Sequence, residues 1–455
     1  MRTVSEYAAS CGRRLMALRD GEWARYRHAR EIEAGLHRSL DELKTRQLRR
    51  LADILDRAYH HTTFYRKRFD EIGFQPGDLK DFADMHKLPP LDKADIRDHM
   101  NEMICDDIPP VQLAGSYTGG TTGIPLHFHR DKPGQTYRRA LDLVIFRRCG
   151  WQEGQWIGWL WGAARDFICP ATWKARIAQS WGHRTYYLDI ANLTDETYEH
   201  FVAQTRRRHP PLLSGYPSLV YDLAQRIEAN AVSAIRVPAI SLTAEPLYEY
   251  QRRKIQKVLA DRVFTRYGTR EFGMTAFECE QHDGLHVFTD SVYLETVPGE
   301  GPDKSYGVLL ATDLINRAMP LIRYRTGDLG RLDETPCPCG LALPRLAEIG
   351  GREVDLIWRP DGSGISGQVP VTLLGIMNIG TRVQFVQPKV DEFVVRYEQR
   401  DGQFTKEINK YIQALRAAMG DCFHYRAEPV MEIRLEASGK YRFVVSQVGK
   451  PKKSA

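Results

Sequence analysis

The sequence has no long apolar run. A helix that crosses a bilayer needs about 18 or more uninterrupted apolar residues. The best candidate, Tyr306 to Tyr324, is broken by Asp313, Asn316, Arg317 and Arg323, so no membrane span is expected. Cysteine is scarce and unevenly placed, eight in 455 residues, which excludes a disulfide framework. Met1 to Arg14 holds no apolar stretch of the kind a secretion signal requires. A reducing cytoplasm is therefore the expected location, where clustered cysteines serve metals more often than disulfides. An excess of one charge is nearly missing as well. The net charge is +6, and residues 1–50, with 12 Arg/Lys against 7 Asp/Glu, hold almost all of it. A nucleic-acid binder concentrates basic charge on its folded domain. Here the excess falls on a solvated helical arm, and no nucleic-acid partner is expected.

What remains is the composition of a globular protein, 42% apolar and 27% charged, long enough for two or three domains. Leu36, Leu40, Leu43, Leu48, Leu51, Leu55 and Tyr59 recur at spacings near three and four, which predicts an amphipathic helix. After Pro110, short apolar runs (Trp156–Trp161, Val237–Leu242, Arg262–Tyr267, Val287–Val292, Gly307–Ala311) alternate with helical segments (Pro217–Asn230, Pro246–Leu259). That alternation predicts an α/β fold with a substantial sheet. A second change comes near residue 351, followed by a glycine-rich stretch. The pattern beyond it reads strand Val383–Gln387, strand Glu392–Glu398, helix Lys406–Met419, strand Glu432–Leu435 and strand Arg442–Val448. The expected division is residues 1–110 as a helical part of a large domain, 111–350 as its core, and 351–455 as a small α+β domain.

Three segments carry chemistry. Ser116–Gly123 places three glycines and four Ser/Thr hydroxyls in one loop; close backbone approach with inward hydroxyls and N–H groups suits a polyphosphate. The G-x-x-x-x-G-K-[ST] spacing of a Walker loop is missing. Tyr267-Gly268-Thr269-Arg270-Glu271 follows a strand, at the kind of position where open α/β sheets bind ligands. A Glu there can hold Mg²⁺ through one carboxylate oxygen. Tyr324-Arg325-Thr326-Gly327-Asp328 ends another apolar segment in an Asp, able to accept hydrogen bonds from both hydroxyls of a ribose.

With Gly351-Arg352-x-x-Asp355 and Ser438-Gly439-Lys440, these segments stand in the order used by the adenylate-forming acyl-ligase superfamily. More narrowly the chain resembles its phenylacetate–CoA ligase-like branch and the CapK-type (capsular polysaccharide) proteins. Shared features include Leu88-Pro89-Pro90-Leu91, Gly215-Tyr216-Pro217-Ser218 and Ala244-Glu245-Pro246-Leu247. The resemblance covers roughly residues 45–448. It implies a large adenylate-forming domain with a helical arm and mixed sheets, followed by a small mobile α+β domain. By the same resemblance, Thr118, Gly119, Gly120, Thr121, Thr122 and Gly123 would wrap the phosphates of ATP. Ala244, Glu245 and Pro246 would line the adenine site, Tyr267 would stack on the ring, and Gly268 would belong to the nucleotide site. Glu271 would ligate Mg²⁺, Asp328 would grip the ribose, and Arg352 would lie near the nucleotide. Asp355 would be the hinge and Lys440 the mobile lysine of the first half-reaction.

The implied activity is adenylation of a carboxylic acid, aromatic or small, to an acyl-AMP, then transfer to an acceptor: CoA by the habit of the branch, a carrier thiol, or an amine. The alternatives are an adenylyltransferase that stops at an AMP–cofactor product and a non-catalytic polysaccharide-assembly protein. Two departures stand out. Ile124 replaces the Lys that many members carry, and Ser363–Pro370 stands where CoA-using relatives show Gly-x-Asn-x-x-Pro. Two further groups draw attention. Cys279-x-x-His282, with His286 close behind, and Cys337-x-Cys339 offer paired soft ligands suited to a structural Zn²⁺; the Cys-x-x-His spacing favours His282, and His286 is the alternate. Trp161 and Tyr216 are candidate walls of the acid pocket. A homodimer is among the assemblies the sequence allows.

Overall fold

The computed structural model describes residues 3–19, 21–117, 126–161, 184–190, 193–297, 306–377, 379, 381–399, 404–436 and 440–449. The strands run β1 (Leu113–Tyr117), β2 (His127–Asp131), β3 (Ile157–Leu160), β4 (Thr185–Tyr187), β5 (Leu212–Gly215), β6 (Ala239–Leu242), β7 (Arg262–Thr269), β8 (Gly273–Glu278), β9 (Leu285–Val287), β10 (Val292–Val297), β11 (Gly307–Asp313), β12 (Tyr324–Asp333) and β13 (Arg345–Arg352). After them come β14 (Ile357–Trp358), β15 (Gly364–Ile365), β16 (Val383–Lys389), β17 (Glu392–Glu398), β18 (His424–Val430) and β19 (Val444–Ser446).

Among the described residues one sheet has the order β10-β11-β12-β13-β9-β8-β7-β6-β5-β3-β4. Its halves differ. Strands β3 to β7 pair in parallel, linked by helices Asp195–Arg208, Pro217–Glu228 and Glu249–Val258, the crossovers that parallel pairing requires. From β7 to β8 the pairing turns antiparallel and stays so to the far edge. Strand β7 is thus the seam, and the residues at its C-terminal end face the opening that such a change of order leaves.

Each half has its own core. Leu213, Leu223, Ile240, Ile255 and Val263 bury the crossover helices on the parallel half. On the antiparallel half, Leu51, Ile54 and Leu55 of helix Leu40–His61 pack with Leu309, Leu321 and Tyr324. That helix begins at a capping box, Ser39 with Glu42, and its basic face is not left to solvent: Arg46 and Arg50, with Arg38 just before the helix, gather on Asp290 at 3.3–3.5 Å. The segment read as one strand, Val287–Val292, is two strands joined by a turn closed by Ser291 N–H on the Phe288 carbonyl (2.8 Å).

A further sheet, β18-β17-β16-β19, carries helix Phe404–Met419 on a separate core of Phe385, Phe393, Ile408, Tyr411 and Leu415. Residues Glu432–Leu435 are not a strand; the fourth partner is β18, parallel to β17. Strand β18 is an edge with mostly half-exposed or exposed residues, so it lacks the apolar alternation that marks a half-buried strand. No helix among the described residues is long and apolar enough to cross a membrane.

Candidate active site

At the end of the seam strand β7, Tyr267 is buried and its hydroxyl donates to Asp328 Oδ2 at 2.7 Å. Asp328 lies in β12 opposite Arg352 of β13, whose Nε is 3.6 Å from the other carboxylate oxygen. Gly327 takes φ +80°, a conformation open to glycine, and Asp328 N–H donates to Thr326 Oγ1 at 3.1 Å. Burial pushes the Asp328 carboxyl above its ordinary range, with Arg352 pulling it back. A carboxylate held this way gains from any ligand that brings donors to it.

Glu271 sits in the turn between β7 and β8, buried, and accepts the Tyr324 hydroxyl on Oε1 at 2.7 Å. The turn is pinned from beneath by a pair no local pattern announces. Arg138, in helix Lys132–Arg148, donates through Nε to the Phe272 carbonyl (2.8 Å) and through Nη2 to the Glu271 carbonyl (3.4 Å). The same guanidinium is ion-paired with buried Asp313. Gly268 serves the strands: a Cβ there would stand 2.3 Å from the Gly273 carbonyl oxygen.

Ala244 has φ +73°, rarely tolerated by a residue with a side chain, and the kink delivers Glu245. Its carboxylate accepts Ser218 N–H (3.0 Å) and Oγ–H (3.1 Å) at the start of helix Pro217–Glu228. It also accepts Tyr441 N–H at 2.9 Å, from the small C-terminal unit. Tyr441 follows Lys440, whose ammonium lies 6.0 Å over the Tyr216 ring. Tyr216 in turn meets Trp161 at a centroid distance of 4.6 Å. Burial lowers the Lys440 pKa, Arg352 lowers it further, and Glu245, Asp328 and Glu436 counter that. Glu436 N–H donates to the Lys440 carbonyl (2.9 Å). Asp355, in the turn after β13, accepts both Nε and Nη2 of Arg442 (3.1 and 2.9 Å).

The structure therefore brings Tyr216, Trp161, Glu245, Asp328, Arg352 and Lys440 around one cleft, with Tyr267 and Glu271 on its floor. Thr118–Gly123 lie outside the described residues; the strands that enter and leave this segment, β1 and β2, form an antiparallel pair. Sequence reasoning missed Arg138 and Asp313, and it placed Glu245 at the adenine site without its link to the Tyr441 amide.

The thiol group lies elsewhere on the sheet. Cys279 Sγ is 3.8 Å from Cys337 Sγ, and Cys339 Sγ is 3.3 Å from His286 Nε2. One ligand atom from each of these four residues lies within 4.8 Å of every other. His286 takes the place expected for His282. Strand β9 pairs with β13 and sets His286 inside, whereas His282 has φ +55° and turns away to Arg252 (3.1 Å) and Glu278 (3.2 Å). Burial pushes the His286 pKa down to about 4, keeping the imidazole neutral, the form that binds metals. The Cys279 thiol is pushed up to about 12 by burial and by its neighbouring thiols.

A divided sheet with Asp328, Arg352 and Glu271 near its seam, and a small α+β unit that brings Lys440 to them, is the arrangement that the sequence resemblance implies. Comparison with known proteins agrees. Residues 357–447 match the family model described as the CapK C-terminal domain. The chain is 26% identical over 385 residues to a phenylacetate–coenzyme A ligase of Thermus thermophilus, covering 82% of this chain and 84% of the relative. It is 29% identical to the Pseudomonas putida enzyme of that name over 70% of this chain and 72% of the relative. A 2-hydroxyisobutyryl-CoA ligase in the postadenylation state, with 2-HIB-AMP, superposes at TM-score 0.72 and 20% identity, covering 90% and 91% of the two chains. The same ligase in the thioesterification state gives 0.56 at 21% identity, over 89% and 90%. The chain is thus similar over most of its length to phenylacetate–coenzyme A ligases, and it shares the fold of the 2-hydroxyisobutyryl-CoA ligase.

Proposed function

We propose that the protein uses ATP to activate a carboxylic acid, aromatic or small, as an acyl-AMP and passes the acyl group to an acceptor, CoA first among the thiols. The observation that carries this reading is Lys440. It is a cation from the small domain, residues 351–455, half-buried over Tyr216 among Glu245, Asp328 and Arg352. The acid would lie against Trp161 and Tyr216, and the ribose hydroxyls would replace Tyr267 as donors to Asp328. Ala244 and Pro246 would border the adenine, and Thr118–Gly123 would hold the phosphates.

In the first step a carboxylate oxygen attacks the α-phosphorus. The bond from phosphorus to the bridging oxygen breaks, and pyrophosphate leaves with that electron pair. Two anions must approach each other, so positioning and charge neutralisation supply most of the catalysis. Lys440 would bridge the carboxylate and the α-phosphate. Glu271 suits Mg²⁺: its buried carboxylate, oriented by the Tyr324 hydroxyl on Oε1, would offer an oxygen to the ion, which when bound would offset charge on the phosphates. In the second step the acceptor thiol or amine attacks the acyl carbon and AMP departs with the bonding pair. Rotation about Asp355 would withdraw Lys440 between the two steps and shield the adenylate from water.

We also propose a structural zinc on Cys279, Cys337, Cys339 and His286. Two thiolates about 2.3 Å from a tetrahedral ion stand about 3.8 Å apart, the spacing found between Cys279 and Cys337. Three neighbouring thiolates, two of them buried, need a cation to coexist, and a closed Cys₃His set keeps no position open for substrate. The test of the enzymatic reading is acid-dependent exchange of labelled pyrophosphate into ATP across a panel that includes phenylacetate and 2-hydroxyisobutyrate. Exchange with an acid supports it. Exchange that depends on a hydroxylated cofactor instead points to adenylyl transfer, and none across a broad panel overturns catalysis.

A further inference from the structure

The small domain meets the large one at three points, two of them away from the cleft. Gly375, near the end of helix Gln368–Ile376, lies against Tyr250 of helix Glu249–Val258; a Cβ on Gly375 would stand 2.0 Å from Tyr250 Cδ1 and 2.4 Å from its Cγ. Tyr250 is itself held by Tyr221 at 90° and 5.5 Å and by Tyr248 at 6.0 Å. The ring therefore has aromatic neighbours on the large-domain side, and glycine is the residue that admits so close an approach. A second point is Arg382, whose Nη2 donates to Asp222 Oδ2 at 3.1 Å. Asp222 is fixed on its own side by the Tyr198 hydroxyl (2.9 Å) and Arg226 (3.4 Å). The third is the Tyr441 amide on Glu245 (2.9 Å), one residue from Lys440. Between these points the two surfaces stand apart around a cavity of about 590 Å³, lined by Tyr221, Gln225, Lys254, Thr381 and Leu435 among others. Tyr248 beside Phe443 at 5.7 Å and Leu435 against the core of the parallel half add apolar contact to these supports.

We propose that Gly375 on Tyr250, Arg382 on Asp222 and the Tyr441 amide on Glu245 form a three-point seat that fixes the small domain in the orientation delivering Lys440, and that the seat parts before the acceptor step. The proposal rests on the reading that Lys440 acts in adenylation. Its residues are positioning residues; Gly375 and Arg382 reach the chemistry only through the placement of Lys440. One feature makes the seat testable without unfolding the domain: alanine is a better helix former than glycine, so Gly375→Ala favours the helix while its methyl strikes Tyr250.

The experiment is hydrogen–deuterium exchange on the full chain without substrate, for wild type, Gly375→Ala, and the double variant Gly375→Ala/Tyr250→Ala. In Gly375→Ala, peptides covering 248–251 and the Tyr441 amide should exchange at least tenfold faster, while strand β17 at 393–397 keeps its wild-type rate. Removing the ring in the double variant should return the Tyr441 amide to within about threefold of wild type. Where pyrophosphate exchange is measurable, Gly375→Ala should lower it at least tenfold and leave transfer from supplied acyl-adenylate to CoA within twofold. Wild-type protection of Tyr441 in Gly375→Ala, or no recovery in the double variant, overturns the seat. Opening of the seat in a protein that activates no acid leaves the seat standing and removes the catalytic reading instead.

Discussion

The two sides of the cleft are built differently. On the large-domain side the polar groups sit on strand ends or tight turns and satisfy one another: Tyr267 with Asp328, Tyr324 with Glu271, and Arg138 beneath them with Asp313. On the small-domain side Lys440 stands next to Tyr441, whose backbone amide reaches Glu245. The first arrangement resists motion, because buried paired groups are costly to separate. The second is made of contacts that can be exchanged. A fixed side that binds and a movable side that reacts is what a two-step reaction with different partners needs.

Changing the fixed side should affect nucleotide binding most. Asp328→Ala removes the proposed ribose acceptor and leaves the buried Tyr267 hydroxyl and the half-exposed Arg352 without it, a loss of about 3 kcal/mol. Calorimetry with MgATP should show affinity down about a hundredfold. Heat equal to wild type would break the comparison at its base.

The thiol group gives the next effect and should be independent of the cleft. Cys279→Ala should lower bound zinc from about one per chain to near zero by elemental analysis. It should also cost about 3 kcal/mol of stability, the loss of a buried polar group together with its metal. MgATP affinity of the protein that remains folded should be unchanged. Full zinc occupancy in this variant would contradict the Cys₃His assignment.

A pH profile sharpens the contrast. In the proposed first step Lys440 acts as a cation, and burial sets its pKa below that of an ordinary lysine. Adenylation is then complete at lower pH and is lost as pH rises through that lowered value. In Lys440→Arg the guanidinium stays charged, so the alkaline limb should move to higher pH whatever the residual rate. An unmoved limb would assign it to another group. The smallest effect belongs to Tyr324→Phe, which removes one hydrogen bond to Glu271 at about 1 kcal/mol. It should raise the magnesium requirement of exchange about fivefold.

Much of the cleft was legible in the sequence because its residues lie in short segments whose order identifies them. Tyr267, Glu271, Asp328 and Lys440 each stand beside a glycine or at a strand end, and the helical and strand periods around them were plain. What stayed hidden depends on distant parts of the chain. Arg138 and Asp313 are 175 residues apart, and nothing local marks either as a partner. The choice between His282 and His286 is made by the pairing of β9 with β13, against a local spacing that favoured the other. Strand β18 escaped notice because an edge strand half open to water need not alternate. The link from Glu245 to Tyr441 spans the two domains, so no single segment could announce it.

The division of labour across the cleft is tested most directly by Lys440→Ala, assayed separately for acid-dependent pyrophosphate exchange and for transfer to CoA from a presynthesised acyl-adenylate. Losing a preorganised cation at developing charge costs about 3–4 kcal/mol. Exchange should therefore fall 10²- to 10³-fold, roughly, with transfer held within about twofold. Equal loss of both steps, or exchange at the wild-type rate, would contradict a lysine that serves one step and then withdraws.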